Sequence, residues 1–202
     1  MATTRGFARP YWTALRFMIV ATVVLGLAYP LLVFGIGQGV ANAQANGTMV
    51  TVDGEPVGSA LIGQSWTDDD GNALPEWFQS RPSAAGDGYD AAASSGSNYG
   101  PENADLIQAI EDRQAAIAES DGVAPEDIPM DALTASGSGL DPHISPEYAR
   151  LQIARVAEAR GLPEDEVADL VEQFIQPADH GYLGEPTVNV LRLNVALAQL
   201  AG

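Results

Sequence analysis

One uninterrupted apolar stretch, residues 17–36, constrains this chain more than any other feature. It contains twenty residues and no charged side chain. At about 1.5 Å of rise per residue, such a helix is about 30 Å long, the thickness of the hydrocarbon core of a bilayer. Arg5, Arg9 and Arg16 precede the stretch, and the next basic residue is Arg81. Because basic residues favour the cytoplasmic side of a membrane, the sequence predicts a single-pass helix with a cytoplasmic N-terminus.

These flanks divide the chain into a cytoplasmic N-terminus over residues 1–16, a transmembrane helix over 17–38 and an extracytoplasmic domain over 39–202. A cleaved signal peptide would share the basic start, and the small residues at 41–45 resemble a cleavage site. Its apolar region, however, is normally only about 7–15 residues long. A buried core helix fits less well, because neither face of the stretch is polar. The favoured interpretation is a membrane anchor.

Charge separates the two sides of the apolar stretch. The chain has 202 residues and a formal net charge of −18. The segment before Asp53 holds three arginines and no carboxylate, so the remainder carries a net charge of −21. A domain of that charge repels nucleic acid and anionic lipid and enriches cations near its surface. The same acidity can equally serve solubility alone.

Two missing residue types exclude several kinds of chemistry. The sequence has no cysteine, and all nine of its basic residues are arginine. The absence of cysteine excludes thiol nucleophiles and thiolate metal sites, and the absence of lysine excludes a P-loop and Schiff-base catalysis. With two histidines in the chain, few catalytic mechanisms remain.

The outer region is predicted to have an α+β fold, with strands early and helices late. Residues 49–61 indicate a hairpin around the Asp53-Gly54 turn, and residues 76–79 indicate a short strand. The composition of residues 83–100 is that of a flexible linker. Apolar spacing and helix-end signals predict helices over residues 103–120, 145–161 and 163–174. Residues 188–200 fit a helix or a buried strand, and the length of the segment favours a helix.

Asp141, His143 and Ser145 supply the three residue types of a hydrolase triad within five positions. Against a triad, Ser145 precedes Pro146 as the N-cap of a predicted helix, and no G-x-S-x-G elbow occurs. His143 and Glu147 are four residues apart, but a metal site shared by them fails if His143 lies outside that helix. We therefore predict no catalytic residue and no metal site.

Polar residues near the C-terminal end of the chain have a structural interpretation. Asn189 and Asn194 lie in an otherwise apolar segment, and a buried carboxamide needs partners for both its donor and its acceptor. Each is predicted to hold a neighbouring loop or a partner chain.

The glycines of the run at residues 136–139 are predicted to allow a tight turn with positive φ before the helix at Ser145.

Several local strings, taken together, carry a family resemblance. They are GSALIGQ at residues 58–64, WF at 77–78, RPSA at 81–84, YD at 89–90, SGSNYGP at 95–101, SGSGLDPHIS at 136–145, GEPTVNVL at 184–191 and LN at 193–194. With one N-terminal membrane helix, this pattern closely resembles the C subunit of the Kdp potassium-transporting ATPase, from about Trp12 to Leu200. The string at residues 136–145 is the most specific of the set.

The resemblance implies an accessory subunit of an ATP-driven potassium uptake pump, located in the cell membrane and not an enzyme by itself. It implies two partners, a channel-like potassium-binding subunit and a P-type ATPase catalytic subunit, in addition to membrane lipid. ATP, Mg²⁺ and K⁺ would be used by the complex, and the C subunit would stabilise it and support ATP binding by the catalytic subunit. Since ATP is cytoplasmic, we expect that effect to be indirect.

Two groups of residues are candidates for contact with partners. In the membrane helix, small residues allow close approach of a second helix, and they are Gly26, Ala28, Gly35 and Gly37. In the outer domain, the candidates come from the family strings, and they are Asn98, Gly100, Ser136, Gly137, Ser138, Gly139, Asp141, His143, Asn189 and Asn194. The rival hypothesis is an anchored or secreted hydrolase or binding protein that uses Asp141, His143 and Ser145.

Overall fold

The structure, a computed structural model, describes residues 8–200 and divides the chain into two units that meet between Thr48 and Met49. Within its described residues, 8–48, the first unit consists of helices and a final turn. The helices are α1 (Ala8–Ala21), a π-helical segment (Thr22–Ala28), α2 (Tyr29–Val40) and α3 (Asn42–Ala45). The run Ala8–Val40 forms a 33-residue helix, and its most apolar 18-residue window has a mean hydropathy of 2.4, so the helix is long and apolar enough to cross a membrane.

The π-helical segment immediately precedes Pro30. Proline has no N–H to donate, and its ring clashes with the carbonyl four residues earlier, here that of Gly26. The Tyr29 N–H donates to the carbonyl of Val24, five residues back. A wider helical turn, with a hydrogen bond that reaches five residues back, therefore accommodates the proline.

Carboxamide side chains follow the end of the long helix. Asn42 Nδ2 donates to Gln38 Oε1 at 2.9 Å, and Asn46 Nδ2 donates to the same oxygen at 3.1 Å. The backbone N–H of Thr48 donates to the carbonyl of Ala43 at 2.7 Å, which closes the turn. The polar residues after the apolar stretch thus form a hydrogen-bonded helical turn.

The second unit mixes helices with antiparallel strands, as the sequence predicts. The strands are β1 (Met49–Val52), β2 (Glu55–Ser59), β3 (His143–Ile144), β4 (Ile175–Gln176) and β5 (Thr187–Asn189). The helices are α4 (Ala104–Asp121), a 3₁₀ turn (Pro125–Asp127), α5 (Met130–Leu133), α6 (Pro146–Leu151), α7 (Ile153–Arg160), α8 (Glu164–Phe174) and α9 (Val190–Leu200).

The predicted N-terminal hairpin is confirmed. Strands β1 and β2 pair antiparallel around Asp53 (φ 52°) and Gly54 (φ 87°), the two positive φ angles of a tight hairpin turn. The second sheet has the order β3–β5–β4, with both pairs antiparallel. The sequence did not predict this sheet, because strands of two or three residues are too short for an alternating pattern to be visible.

The helix predictions are largely confirmed. Asn103 caps α4 by accepting from the backbone N–H of Asp105 and Leu106, and Gly161 ends α7 with φ 66°. The helix predicted over residues 145–161 is interrupted at Gln152 and forms α6 and α7. The helix predicted over residues 188–200 begins at Val190, because the preceding residues belong to β5.

Helices α5 to α9 and strands β3 and β5 surround one apolar core. Its fully buried side chains include Phe78, Val156, Val167, Val171, Val188, Leu193 and Leu197. Phe78 comes from a long loop and the others from helices and β5. The core therefore depends on the position of an irregular segment as well as on helix packing.

The prediction of a strand at residues 76–79 is wrong. The backbone of this segment forms hydrogen bonds with side chains and not with a neighbouring strand. Asn194 Oδ1 accepts from the Phe78 N–H at 3.0 Å, and its Nδ2 donates to the Phe78 carbonyl at 2.9 Å. Gln152 likewise accepts from the Gln79 N–H at 2.6 Å and donates to the Gln79 carbonyl at 3.3 Å. Two buried carboxamides thus satisfy the backbone of this segment.

Candidate functional site

The most specific family string lies within residues 135–146, which we call the motif loop; residues 135–142 are irregular, residues 143–144 form β3, and α6 begins at Pro146. Its backbone binds two other loops of the second unit. The Gly63 N–H donates to the carbonyl of Leu140 at 2.9 Å, and the Ser95 N–H donates to the carbonyl of Ser138 at 2.9 Å. The motif loop therefore connects segments that are distant in the sequence.

Gly139 is the position in the motif loop where only glycine fits. Its φ is 67°, and a Cβ there would lie 2.6 Å from the Ser95 carbonyl oxygen and 2.7 Å from the Ala85 nitrogen. Ser83 Oγ donates to its carbonyl at 2.6 Å. Gly137 has open space around it and no positive φ. The predicted positive φ of this glycine run thus applies to Gly139 and not to Gly137.

Residues 83–100 form neither helix nor strand, but they are not a loose linker. Ser83 Oγ accepts from the backbone N–H of Ala85 at 3.2 Å and of Tyr89 at 2.9 Å. Ala85 is completely buried. The interpretation as a flexible linker is therefore wrong, because small residues here allow close contact with the motif loop.

An ion pair closes the end of the motif loop. Arg81 Nη1 lies 2.9 Å from Asp141 Oδ2, and Arg81 Nη2 donates to the carbonyl of Thr134 at 3.3 Å. The other carboxylate oxygen of Asp141 accepts from the His143 N–H at 3.0 Å. Burial raises the pKa of the Asp141 carboxyl, but hydrogen bonds from His143 and Arg81 outweigh that effect and hold the pKa below 3.8.

Tyr89 supports the same ion pair from the neighbouring loop. Its hydroxyl donates to the carbonyl of Arg81 at 2.6 Å. Burial raises the pKa of Tyr89 to about 12. The residue therefore stays a neutral hydrogen-bond donor at any physiological pH.

The geometry around Ser145 does not support the triad hypothesis. Ser145 Oγ donates to Asp131 Oδ1 at 2.8 Å and accepts from the Tyr148 N–H at 3.0 Å, which is the predicted N-cap of α6. His143 lies in β3, outside that helix, and its Nδ1 is 3.5 Å from Asp141. Within residues 8–200, no three His, Asp or Glu side chains come together as a metal site.

Both predicted structural asparagines hold loops. Asn189 Nδ2 donates to the carbonyl of Ala60 at 2.8 Å, and its Oδ1 accepts from the Arg192 N–H at 3.1 Å. Asn194 forms two hydrogen bonds with the backbone of Phe78. Asn189 also pairs with His143 across β3 and β5, so the fold brings it to the motif loop, whereas Asn194 serves the core.

Four of the remaining candidates of the second unit are exposed, and one is buried. Asn98 has φ 53° and donates to the carbonyl of Gly96, while Gly100, Gly137 and Ser138 face solvent. Ser136 is buried and holds the turn through its Oγ, which accepts from the N–H of Gly139 at 2.9 Å. The string therefore mixes residues that build the loop with residues that a partner can contact.

Sequence reasoning gave no role to two residues that organise this region. Gln152 is fully buried inside a predicted helix and binds a loop backbone, and Arg81 joins three segments. Two features of the sequence point to these residues. Gln152 interrupts an apolar stripe, and Arg81 is a basic residue in an acid-rich domain. Neither signal identifies the partner, which depends on tertiary structure.

Small residues of the membrane helix are open to a neighbour. Around a Cβ at Gly35 nothing lies within 4 Å, and at Gly37 only the Ala45 Cβ lies near, at 3.6 Å. Gly26 and Ala28 belong to the π-helical segment. Close approach of a partner helix at these residues stays a prediction.

Comparison with known proteins identifies the family. The family model described as "K+-transporting ATPase, c chain" matches residues 11–199. The chain belongs to the KdpC family. A KdpC subunit from Kineococcus radiotolerans is 58% identical over 189 residues, which covers 94% of this chain and 93% of the relative. One from Caulobacter vibrioides is 54% identical over 186 residues, with 91% and 90% covered.

A more distant relative agrees with that assignment. The KdpC subunit from Mycobacterium tuberculosis is 47% identical over 188 residues, covering 93% of this chain and 96% of the relative. Membership confirms that the chain is an accessory, non-catalytic subunit of a K⁺-transporting ATPase complex. It gives no support to the hydrolase hypothesis.

Proposed function

We propose that this KdpC chain is anchored in the cell membrane by its N-terminal helix, with the N-terminus in the cytoplasm and the second unit outside. The observation that carries the proposal is the charge distribution around the 33-residue apolar helix. Arg5, Arg9 and Arg16 lie at its N-terminal side, and no basic residue follows until Arg81. Such a bias sets the orientation of a single-pass helix.

Labelling of single cysteines tests this topology cleanly, because the chain contains no cysteine. An Ala2→Cys variant and a Ser97→Cys variant are expressed separately in cells. A membrane-impermeant maleimide is expected to label Ser97→Cys in intact cells and Ala2→Cys only after the membrane is opened. Labelling of Ala2→Cys in intact cells, or protection of Ser97→Cys, would reverse the orientation.

In this arrangement the chain stabilises the assembly of a channel-like potassium-binding subunit with a P-type catalytic subunit. Gly26, Ala28, Gly35 and Gly37 supply a helix surface that approaches a partner helix closely. Asn98, Gly100 and the exposed Gly137 and Ser138 supply a contact surface outside. The buried residues of the motif loop hold that surface in shape and do not themselves contact the partner.

ATP binding and hydrolysis, with Mg²⁺, belong to the catalytic subunit, and potassium belongs to the transport pathway of the complex. With the second unit outside, this chain supports ATP use only through the assembled membrane subunits. The described residues hold no cluster of three His, Asp or Glu for a metal, and their acidic character is unfavourable to a nucleotide.

Co-purification tests the partner assignment. The tagged chain is expressed with the genes adjacent to its own, and membranes are extracted in mild detergent. We expect recovery of a P-type ATPase and a channel-like subunit, with potassium-stimulated ATP hydrolysis that is lost when this chain is omitted. Recovery of a lone soluble protein cleaved after the apolar stretch would overturn the proposal.

A further inference from the structure

A cavity of about 850 Å³ in the second unit has no role in the function described so far. It lies between α4 and α7, and we call it the α4–α7 cavity. The apolar part of its lining includes Pro75 and Ile117. The polar part of its lining includes Asp121, Tyr148 and Glu158.

Tyr148 presents an unused hydroxyl at this cavity. Only 3% of the residue is exposed, yet its hydroxyl makes no hydrogen bond within the part of the chain that the structure describes. Burial raises the pKa of that hydroxyl, and the nearby charge of Asp121 raises it further. A buried hydroxyl without a protein partner takes one from a ligand or from solvent.

Arg155, the one cationic residue of the lining, already has hydrogen-bond partners within the protein. Its Nε donates to Asp121 at 2.8 Å, its Nη1 donates to the carbonyls of Pro75 and Trp77, and its Nη2 donates to Gln152. The side chains of this ion pair are only 8% and 4% exposed. Its charge is therefore neutralised within the protein, and it offers little to an anion.

Apart from the paired Asp121 and Arg155, the lining of the cavity favours a ligand with a cationic hydrogen-bond donor. Glu158 is exposed on α7, and no ion pair engages it within residues 8–200. With Asp121 and Arg155 cancelling, the lining carries a net charge of −1. Pro75 and Ile117 supply an apolar wall for a short aliphatic chain. The cavity thus combines a carboxylate, a free hydroxyl and a hydrocarbon surface.

We propose that the α4–α7 cavity binds a primary alkylammonium group, whose aliphatic chain lies along Pro75 and Ile117 and whose N–H groups donate to Tyr148 and Glu158. The chemistry has two sources, a lysine side chain of a neighbouring subunit and a free aliphatic diamine. The proposal does not depend on the topology proposed above, because it rests on contacts within one unit.

The probe is 1,5-diaminopentane, titrated into the full chain in detergent micelles by calorimetry. We expect saturable binding that Tyr148→Phe weakens by about threefold to tenfold, the effect of one hydrogen bond. Glu158→Gln is expected to weaken it as well. The matched controls are Tyr182→Phe, which removes the same hydroxyl from a residue that is 77% exposed, and Glu119→Gln on α4. Both controls are expected to bind normally.

Three results would overturn the proposal. They are the absence of saturable binding, equal affinity in Tyr148→Phe and wild type, and equal affinity for 1,5-pentanediol, which has the same chain but no charge. Since the Tyr148 hydroxyl has no protein partner, Tyr148→Phe is expected to keep the melting temperature of the wild type. The variant therefore tests binding and not folding.

The assembled complex distinguishes the two sources. If a lysine of a neighbouring subunit fills the cavity, the purified complex no longer binds the diamine, and Tyr148→Phe weakens assembly. If a free amine is the ligand, the complex binds the diamine as the isolated chain does. Either result supports the alkylammonium chemistry, whereas failure of the isolated chain to bind excludes it.

Discussion

The two units of this protein obtain their stability in different ways. Within residues 8–48 no side chain is buried, and the helical backbone satisfies its own hydrogen bonds. Within residues 49–200, twenty hydrophobic side chains are buried, the first of them Ala60. The first unit therefore needs lipid or a partner to cover its side chains, while the second carries its own core.

Polar residues sharpen this contrast. In the first unit, the carboxamides of Gln38, Asn42 and Asn46 bind one another at the surface. In the second, Gln152 and Asn194 are buried and bind the backbone of a loop. Polar side chains in the second unit thus supply hydrogen bonds that a neighbouring strand would otherwise make. Their removal is expected to lower the free energy of unfolding, whereas removal of the surface carboxamides is not.

The largest effect is expected from Asn194→Ala. The change leaves both the N–H and the carbonyl of Phe78 buried without a partner, at about 1–3 kcal/mol for each group, so we expect a loss of about 3–5 kcal/mol. Thermal unfolding of the full chain in detergent, followed by tryptophan fluorescence, measures it. Asn98→Gly, which keeps the positive φ of an exposed position, is the control and should change stability by less than about 0.5 kcal/mol.

A charge in the membrane helix should affect only the first unit. Leu25→Arg places a guanidinium near the middle of the apolar stretch, at a cost of about 3–4 kcal/mol for insertion. We expect a smaller fraction of the chain in carbonate-washed membranes, with the melting temperature of the second unit unchanged. Val40→Arg, at the end of the helix, should insert normally. Equal insertion of both variants would contradict the membrane-anchor interpretation.

Gly139→Ala tests the closest contact of the motif loop. A methyl group there overlaps backbone atoms of Ser95 and Ala85 and requires an unfavourable φ, so we expect a loss of about 2–4 kcal/mol. Gly137→Ala, two residues away with open space around it, should be close to neutral. The same fluorescence melts measure both variants, and equal destabilisation would show that Gly139 tolerates a side chain.

The sequence predicted what depends on local pattern. The apolar stretch, the Asp53-Gly54 hairpin and the N-cap at Ser145 all follow from a few neighbouring residues, and the structure contains each of them. The family strings in the sequence also indicate the right family. Local chemistry and a specific string carried these predictions.

The failures share a different cause. The strand predicted at residues 76–79 is held by side chains from α9 and from the break between α6 and α7, and the linker at 83–100 is ordered by the motif loop. Such contacts join segments more than 50 residues apart in the chain. Periodicity and composition describe a segment alone, so they cannot reveal which distant side chain satisfies its backbone.

The smallest expected effect concerns the ion pair at the end of the motif loop. In the folded protein the pKa of Asp141 lies below its ordinary value of 3.8. Ionised Asp141 therefore stabilises the fold above about pH 4, and this contribution disappears as the pH falls through the folded pKa. Asp141→Asn should cost about 1 kcal/mol near pH 7, a value limited by partial exposure.

The pH dependence distinguishes this electrostatic effect from a loss of packing. The difference in stability between wild type and Asp141→Asn should shrink as the pH falls below 4, because the unfolded wild-type chain then takes up a proton that the folded carboxylate accepts only at its lower pKa. Urea melts at pH 7, 5 and 3 measure it. Asp87→Asn, on the exposed part of the neighbouring loop, serves as the control. If the deficit of Asp141→Asn were the same at pH 3 as at pH 7, the carboxylate charge would have no part in holding the motif loop, and its hydrogen-bond geometry alone would account for the cost.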